Sequence, residues 1–227
     1  FIKGLVEVQD EGSQLSALLS DAKPGEQVID LCAGAGGKTL ALAAMMEDRG
    51  QVYATDLDKR RLAPIHARLS RAAAHNVQVR TPRAQENLLG DLQNRADLVL
   101  IDAPCTGTGA WRRNPDAKWR MRPGALELRC EQQAELLDRA AALVKSGGRL
   151  AYVTCSLLAE ENTDQVRGFL ARHAEFSLVP PSKVADALGE RALVFRQVAL
   201  MSDEGLLMTP HRTDTDAFYA AVLRRTG

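Results

Sequence analysis

Four consecutive apolar residues, Leu98-Val99-Leu100-Ile101, run directly into Asp102-Ala103-Pro104-Cys105. An unbroken apolar run of this length suits a strand covered on both faces, as in a parallel sheet, rather than the alternation of a half-exposed strand. Pro104 fixes its own φ and disfavours the α region for Ala103, so the backbone leaves the strand extended and stiff. Cys105 is thereby expected at the carboxyl edge of the sheet, where open α/β folds place ligands. Gly107 and Gly109 allow a tight loop beyond it. A second strand, Leu150 to Thr154, ends in the same way at Cys155. Two cysteines are therefore expected to face one cleft from two strand ends.

The remaining strands support a doubly wound α/β fold. Gln27-Val28-Ile29-Asp30-Leu31 reads as the first central strand, and a glycine-rich turn, Cys32-Ala33-Gly34-Ala35-Gly36-Gly37-Lys38-Thr39, leads into an apolar helix from Leu40 to Met46. Glycines let the backbone approach a ligand, and a helix amino end favours anionic groups, so this reads as a nucleotide-like cofactor site. A ligand-free βα turn is the plainer alternative. Gly37-Lys38-Thr39 mimics the end of a phosphate-binding P-loop, but Cys32 stands where that motif needs a glycine, which rejects a nucleotide triphosphatase. Gln51 to Asp56 reads as the second strand, with Asp56 placed to take ribose hydroxyls or to cap a helix starting near Leu57. Arg60, Arg61 and Arg68 are placed on the solvated face of that helix.

Val77 to Arg80 is a short third strand. Ser13 is a plausible N-cap for a helix bearing Leu15, Leu18 and Leu19. Residues 125–145 read as a strong helix ended by Ser146-Gly147-Gly148, and residues 192–200 and 217–223 as two last strands. The whole chain, 1–227, is taken as one catalytic domain with residues 1–22 as a helical lead-in.

Composition mainly excludes. The net charge is +0, from 29 basic and 29 acidic residues, so any nucleic-acid surface must be local. Such a patch exists at Trp111 to Arg122, where Arg112, Arg113, Lys118, Arg120 and Arg122 are interleaved with Trp111 and Trp119. Arg and Trp suit phosphate contacts and base stacking on single strands. Tryptophans packed on the core with charges outward would be the structural alternative. Cys32, Cys105, Cys130 and Cys155 form no CxxC pair, and His66, His75, His173 and His211 are scattered, which argues against a metal site and a disulfide framework. No run approaches membrane-spanning length and no secretory signal is visible, so no membrane partner and a cytoplasmic location are expected. The chain begins at Phe1 rather than Met, and an upstream portion is expected to be missing.

Six blocks, VQDEGSQL (8–15), DLCAGAGGKT (30–39), ATDLDKRRL (54–62), DAPCTGTG (102–109), TCS with EEN (154–162) and TPHRTDTDAFYAA (209–221), together resemble the Nol1/Nop2/Sun family of RNA cytosine-5 methyltransferases. The stretch RRNPDAKW (112–119) is most similar to the bacterial 16S, or small-subunit, ribosomal RNA branch. The resemblance implies a class I S-adenosylmethionine-dependent methyltransferase, Rossmann-like, with a seven-stranded sheet whose last strand is antiparallel. It implies that Cys32 to Lys38, including Ala33, Gly34, Ala35, Gly36 and Gly37, wrap the methionine end of the cofactor. Asp56 would hold the ribose, Arg61 and Gln85 would complete the cofactor contacts, and Asp102 would lie against both cofactor and target base. By the same resemblance Cys155 is the nucleophile and Cys105 the cysteine that helps release product. Arg112, Arg113, Lys118, Trp119 and Arg120 are the candidate RNA contacts, the RNA-binding amino-terminal portion of the family is expected to be missing from this sequence, and the protein is expected to be a monomer.

Carbon 5 of cytosine is too electron-poor to attack a methyl sulfonium unaided. A thiolate adding at carbon 6 makes it an enamine-like nucleophile, and a base must later remove the carbon 5 proton so that the cysteine can leave. The base must be unstacked to enter, so an unpaired or flipped cytosine of ribosomal RNA is the expected partner. The residues alone leave Cys105 and Cys155 interchangeable. A depressed pKa for Cys155 is expected if a helix amino end points at it. The family commonly has an acid after strand three to hold the adenine, where this chain has Gln85 and Glu86. It commonly shows Ala-Pro-Gly at residues 34–36, and a glycine before Phe218-Tyr219 where this chain has Thr215-Asp216-Ala217. The altered adenine corner motivates an alternative: an RNA-binding or ribosome-assembly factor that keeps the fold and binds cofactor poorly. A small-molecule or protein methyltransferase is the third reading, disfavoured by the Arg-Trp patch.

Overall fold

The apolar runs form strands, and the central ones carry polar residues to their carboxyl ends. In the computed structural model, which describes residues 1–82 and 88–227, one sheet contains β1 (Gln27–Asp30), β2 (Gln51–Ala54), β3 (Val77–Val79), β4 (Ala96–Asp102), β5 (Val144–Thr154), β6 (Phe176–Leu178), β7 (Leu200–Met201), β8 (Leu206–Met208) and β9 (Phe218–Arg225). The order is β3-β2-β1-β4-β5-β9-β8-β7, and β6 pairs with the far end of β9. Strands β1 to β5 are parallel, and β9 runs antiparallel to β5. The Rossmann-like arrangement and the antiparallel last strand are borne out. The count is nine rather than seven among the described residues.

Leu98, Val99, Leu100 and Ile101 are all fully buried. Leu98 and Leu100 pack on one face of the sheet with Val28 and Leu42, and Val99 and Ile101 on the other with Leu136, Leu137 and Tyr152. Helices cover both faces, so an unbroken apolar run is what β4 requires. These helices are α1 (Glu11–Leu19), α2 (Gly37–Met45), α3 (Lys59–Leu62), α4 (Ile65–Ala72), α5 (Ala117–Arg120), α6 (Ala125–Ala141), α7 (Thr163–Arg172), α8 (Pro181–Val184), α9 (Ala192–Val198) and α10 (Pro210–Thr213). From β1 the chain winds outward through β2 and β3, then returns to place β4 on the other side of β1. The crevice beyond the carboxyl ends of β1 and β4 is therefore the switch point where this class of sheet binds ligands.

Four local expectations are corrected. Asp10, not Ser13, caps α1, accepting from the amides of Gly12 and Ser13 at 2.9 and 3.4 Å. Asp58, not Asp56, caps α3 through the Arg60 amide at 2.8 Å. α6 ends at Ala141 rather than 145, and Ser146-Gly147-Gly148 lie within β5, where Gly147 takes a positive φ of 75°. Residues 192–198 are helical, not extended: Ala192 and Phe195 are buried while Leu193 and Val194 are exposed, a three-residue rather than two-residue spacing.

Candidate active site

The carboxyl ends of β1, β2, β4 and β5 supply the polar residues of the crevice. Asp30, the last residue of β1, is fully buried. Thr39, on the first turns of α2, donates to its Oδ2 at 2.7 Å, while Oδ1 is buried without a partner. Burial, opposed by the Thr39 bond and reinforced by the charge of Asp102, pushes its pKa up to about 7. Gly34 takes a positive φ of 49° and donates its amide to Asp56 Oδ2 at 3.0 Å. Gly36 starts α2 at φ 87°, and a Cβ there would stand 2.4 Å from Ile65 Cγ1, so the turn tolerates only glycine.

Lys38 is 6% exposed, its Nζ 2.7 Å from Asp102 Oδ2 and 3.1 Å from Ser13 Oγ, and it stands over the Phe218 ring. Asp56 is buried and also accepts the Asp58 amide at 2.9 Å. Arg61 is 58% exposed, with Nη1 4.0 Å from Asp56. Arg68, expected on a solvated face, instead folds inward, donating to the Ala35 carbonyl at 2.9 Å and pairing with Glu7 at 3.4 Å. A cavity of about 280 Å³ lies over the turn and is lined by Asp30, Ala33, Gly34, Lys38, Arg61 and Asp102. A second, of about 220 Å³, continues past Arg61 between Asp56, Leu57 and Pro104. Cys32 borders both, and burial together with the nearby carboxylates of Asp30, Asp56 and Asp102 holds its thiol well above the usual range. Gln85 lies outside the described residues.

Cys105 and Cys155 meet. Their Sγ atoms are 3.4 Å apart. The loop after β4 is bound to the end of β5 by the Ala103 amide on the Val153 carbonyl at 2.8 Å and the Gly109 amide on the Cys155 carbonyl at 3.0 Å. The Cys105 thiol hydrogen-bonds to Cys155 and lowers its pKa against the opposing effect of burial, with Lys38 assisting and Asp102 opposing. Cys105 is driven the other way, by that same bond, by burial, by the charge on Cys155 and by Glu161. The depression on Cys155 thus comes from a neighbouring thiol rather than from a helix amino end.

The Arg-Trp patch divides in two. Arg113 Nε lies 2.5 Å and Arg112 Nη2 3.3 Å from the carboxylate of Asp216, which is fully buried. Arg112 also lies 3.7 Å from Asp10. These two arginines hold the loop down. Lys118, Trp119 and Arg120, on α5, stay exposed: Trp119 is 81% exposed with Lys118 over its ring, and Arg120 pairs with Asp116. Among the described residues no group of three or more His, Cys, Asp or Glu could hold a metal, and no helix is long and apolar enough to cross a membrane.

Residues 17–224 match the family described as 16S rRNA methyltransferase RsmB/F. The chain belongs to that family. It is 38% identical to ribosomal RNA small subunit methyltransferase B of Yersinia enterocolitica over 98% of this chain and 48% of that protein. The chain spans about half the length of the curated relatives it matches. Among solved structures, the protein PH0851 superposes with a TM-score of 0.85 at 37% identity, covering 99% of this chain and 48% of that one. NSun6 from Pyrococcus horikoshii, in a structure with SFG, gives 0.81 at 27%, covering 100% and 55%.

The cofactor of this RsmB/F chain is S-adenosylmethionine. The residues present fit it. Asp30, whose buried Oδ1 has no partner, is among the residues lining the cavity over the glycine turn and would suit the cofactor's ammonium group. Sequence reasoning had passed over Asp30 as a strand residue. The available signal was an acid closing an otherwise apolar strand immediately before the glycines. It also passed over Glu161 and Gln133, fully buried behind Cys105, and Asp216. For Gln133, a polar residue within an apolar helix face was the only sign.

Proposed function

We propose that this RsmB/F chain transfers a methyl group from S-adenosylmethionine to carbon 5 of a cytosine in RNA, ribosomal RNA of the small subunit, through a covalent adduct on Cys155. The observation that carries this reading is the 3.4 Å contact between the two sulfurs just beyond the carboxyl ends of β4 and β5. Bound in the glycine-turn crevice, S-adenosylmethionine supplies the electrophilic methyl group. Cys155, its pKa lowered by the Cys105 thiol, adds to carbon 6 of the base and sends electron density to carbon 5. Cys105, once it has given its own proton to solvent, or a water beside it, takes the carbon 5 proton, and Cys155 leaves with the electron pair of its carbon–sulfur bond. Asp102, held by Lys38, borders the same cavity and accepts from the amino edge of the base. Asp56 takes the ribose hydroxyls, with Arg61 and the 32–38 turn completing the cofactor site. Incubating the chain with 16S RNA and labelled S-adenosylmethionine, then digesting to nucleosides, tests the reading. Label in 5-methylcytidine supports it, and label in another nucleoside or in none overturns it.

Asp30 gives a pH signature. Its folded pKa of about 7 stands above its ordinary value of 3.8. A carboxyl raised on folding adds stability that is complete below about pH 4 and lost as the pH rises through about 7. Across that window Asp30 should remove roughly 4 kcal/mol from the stability of the cofactor-free protein, read as the difference between the pH–melting curves of the wild type and Asp30→Asn. An ammonium group in the cavity favours ionised Asp30, so cofactor binding below pH 7 should release a proton. Calorimetry in two buffers of different ionisation enthalpy reads that proton directly. Absence of cofactor binding in the same titration would favour the assembly-factor reading.

Trp119 is proposed as a stacking platform for RNA. Removing one stacked base costs about 1–3 kcal/mol, so Trp119→Ala should weaken RNA binding by roughly 5- to 150-fold. Its melting temperature should stay unchanged because the side chain is exposed. Filter binding at fixed salt checks both the loss and, against Arg112→Ala, the division of the patch.

A further inference from the structure

We infer that Glu161 is a positioning residue for the cysteine pair: its buried carboxylate clamps the turn around Cys105 and sets a negative charge on that side, so that Cys155 carries the thiolate. The inference rests on the proposed chemistry and adds the device that assigns the two sulfurs their different tasks.

Glu161 is fully buried. Its carboxylate accepts the Thr106 amide at 2.8 Å, the Thr106 hydroxyl at 2.5 Å and the Gln133 side-chain amide at 3.0 Å. All three donors are neutral. The same Gln133 nitrogen donates to the Pro104 carbonyl at 3.0 Å. Residues 104 and 106 are thus held from behind, and Cys105 between them is aimed at Cys155. Glu161 is itself fixed to the strand that ends in Cys155. Tyr152 donates its hydroxyl to the Glu161 carbonyl at 2.7 Å, and the neighbouring Asn162 bonds Thr154 and the Ser156 carbonyl at 2.5 and 2.9 Å.

A clamp alone would not need a charge, because a glutamine oxygen could accept the Thr106 amide equally well. Burying a carboxylate among neutral donors is costly, and the charge has a use. The groups facing Cys105 are Cys155, Glu161 and Tyr152; those facing Cys155 are Cys105, Asp102 and Lys38. Asp102 and Lys38 face Cys155 as an ion pair 2.7 Å apart, their charges opposed, whereas the Glu161 carboxylate behind Cys105 has only neutral partners and stands unbalanced. Across a 3.4 Å pair that difference selects which sulfur ionises. Glu161 also raises the pKa of Cys130, after burial the largest cause there, so its field reaches the neighbouring helix.

Alkylation by iodoacetamide across pH 5–10, scored at each cysteine by peptide mass spectrometry, tests the inference in protein without RNA or cofactor. In the wild type Cys155 should react at lower pH than Cys105. Glu161→Gln keeps an acceptor for Thr106 and removes the charge, and should raise the ratio of Cys105 to Cys155 labelling at pH 7 at least threefold. Gln133→Leu loosens the clamp, leaves the charge, and should not raise that ratio. Equal effects of the two variants, or none from Glu161→Gln, overturn the inference. Should Glu161→Gln fail to fold, Cys155 first in the wild type with an unmoved ratio in Gln133→Leu supports the inference, and Cys105 first, or a raised ratio in Gln133→Leu, overturns it. Because no methyl transfer is measured, a chain inactive on RNA can still show the split. A chain that methylates RNA while both thiols titrate together loses only this inference.

Discussion

Cys155→Ala should transfer no measurable methyl group to RNA, a loss of at least about 10³-fold in rate, because the thiol that remains, Cys105, is the one proposed to release product rather than to attack carbon 6. Cys105→Ala should behave differently. It removes the group proposed to free the enzyme, so methylated RNA should remain attached to Cys155 and migrate with the protein through a denaturing gel. The double variant should show neither activity nor attachment. The contrast between the two single variants carries the test, since two inert buried thiols would respond alike. Residual methylation by Cys155→Ala would sink the assignment of roles, and an adduct in that variant would reverse it. Both substitutions are small, at partly buried positions, so folding losses should be limited and a melting curve accompanies each assay.

Gly109→Ala should have the second-largest effect. A Cβ at Gly109 would stand 2.6 Å from Ala217 Cβ, 2.7 Å from the Ala217 carbonyl and 2.9 Å from the Cys155 carbonyl. Two of those neighbours are backbone, which cannot swing aside as a long side chain can. The Gly109 amide bonds the Cys155 carbonyl at 3.0 Å, and its carbonyl accepts the Ala217 amide at 3.0 Å. Relief requires moving the loop after β4 away from the end of β5, and that separates the two sulfurs. Overpacking of this kind costs about 1–3 kcal/mol in stability. A displacement near 1 Å at the reacting groups costs roughly 10²-fold in rate. Gly107→Ala is the matched comparison, since a Cβ there meets nothing within 4 Å and only its φ of 70° is strained. It should lose far less activity. A Gly109→Ala protein with wild-type rate and melting temperature would mean that the loop does not need its tight approach to β5.

Much of this arrangement was readable from residues alone because it depends on local chemistry. The apolar run at 98–101 announced a strand buried on both faces. The glycines at 34, 36 and 37 announced a tight turn, and Gly36 is where a side chain has no room, while both cysteines lay one to three residues beyond strand ends. Residues 192–198 misled because Ala-Leu-Val-Phe has strong β character, and only packing of Ala192 and Phe195 against the core selects the helix. The pairing of Arg113 with Asp216 was illegible because 103 residues separate them, and no local rule anticipates it. Glu161 was visible only inside the block EEN, and nothing nearby in sequence tells a buried clamp from a solvated acid. Asp30 was hidden for the opposite reason, since an acid ending a strand before glycines looks like ordinary turn chemistry. What the sequence shows poorly is which polar groups turn inward.

The Asp216 junction joins three distant parts of the chain. Asp10 caps the first helix and accepts the Asp216 amide at 3.5 Å, while Asp216 anchors Arg112 and Arg113. The beginning of the chain, the approach to its final strand and the loop leading to Trp119 thus share a single mooring. A change at Asp10 therefore reaches the loop that carries Trp119 through Asp216 and the two arginines, a route that uses neither cysteine.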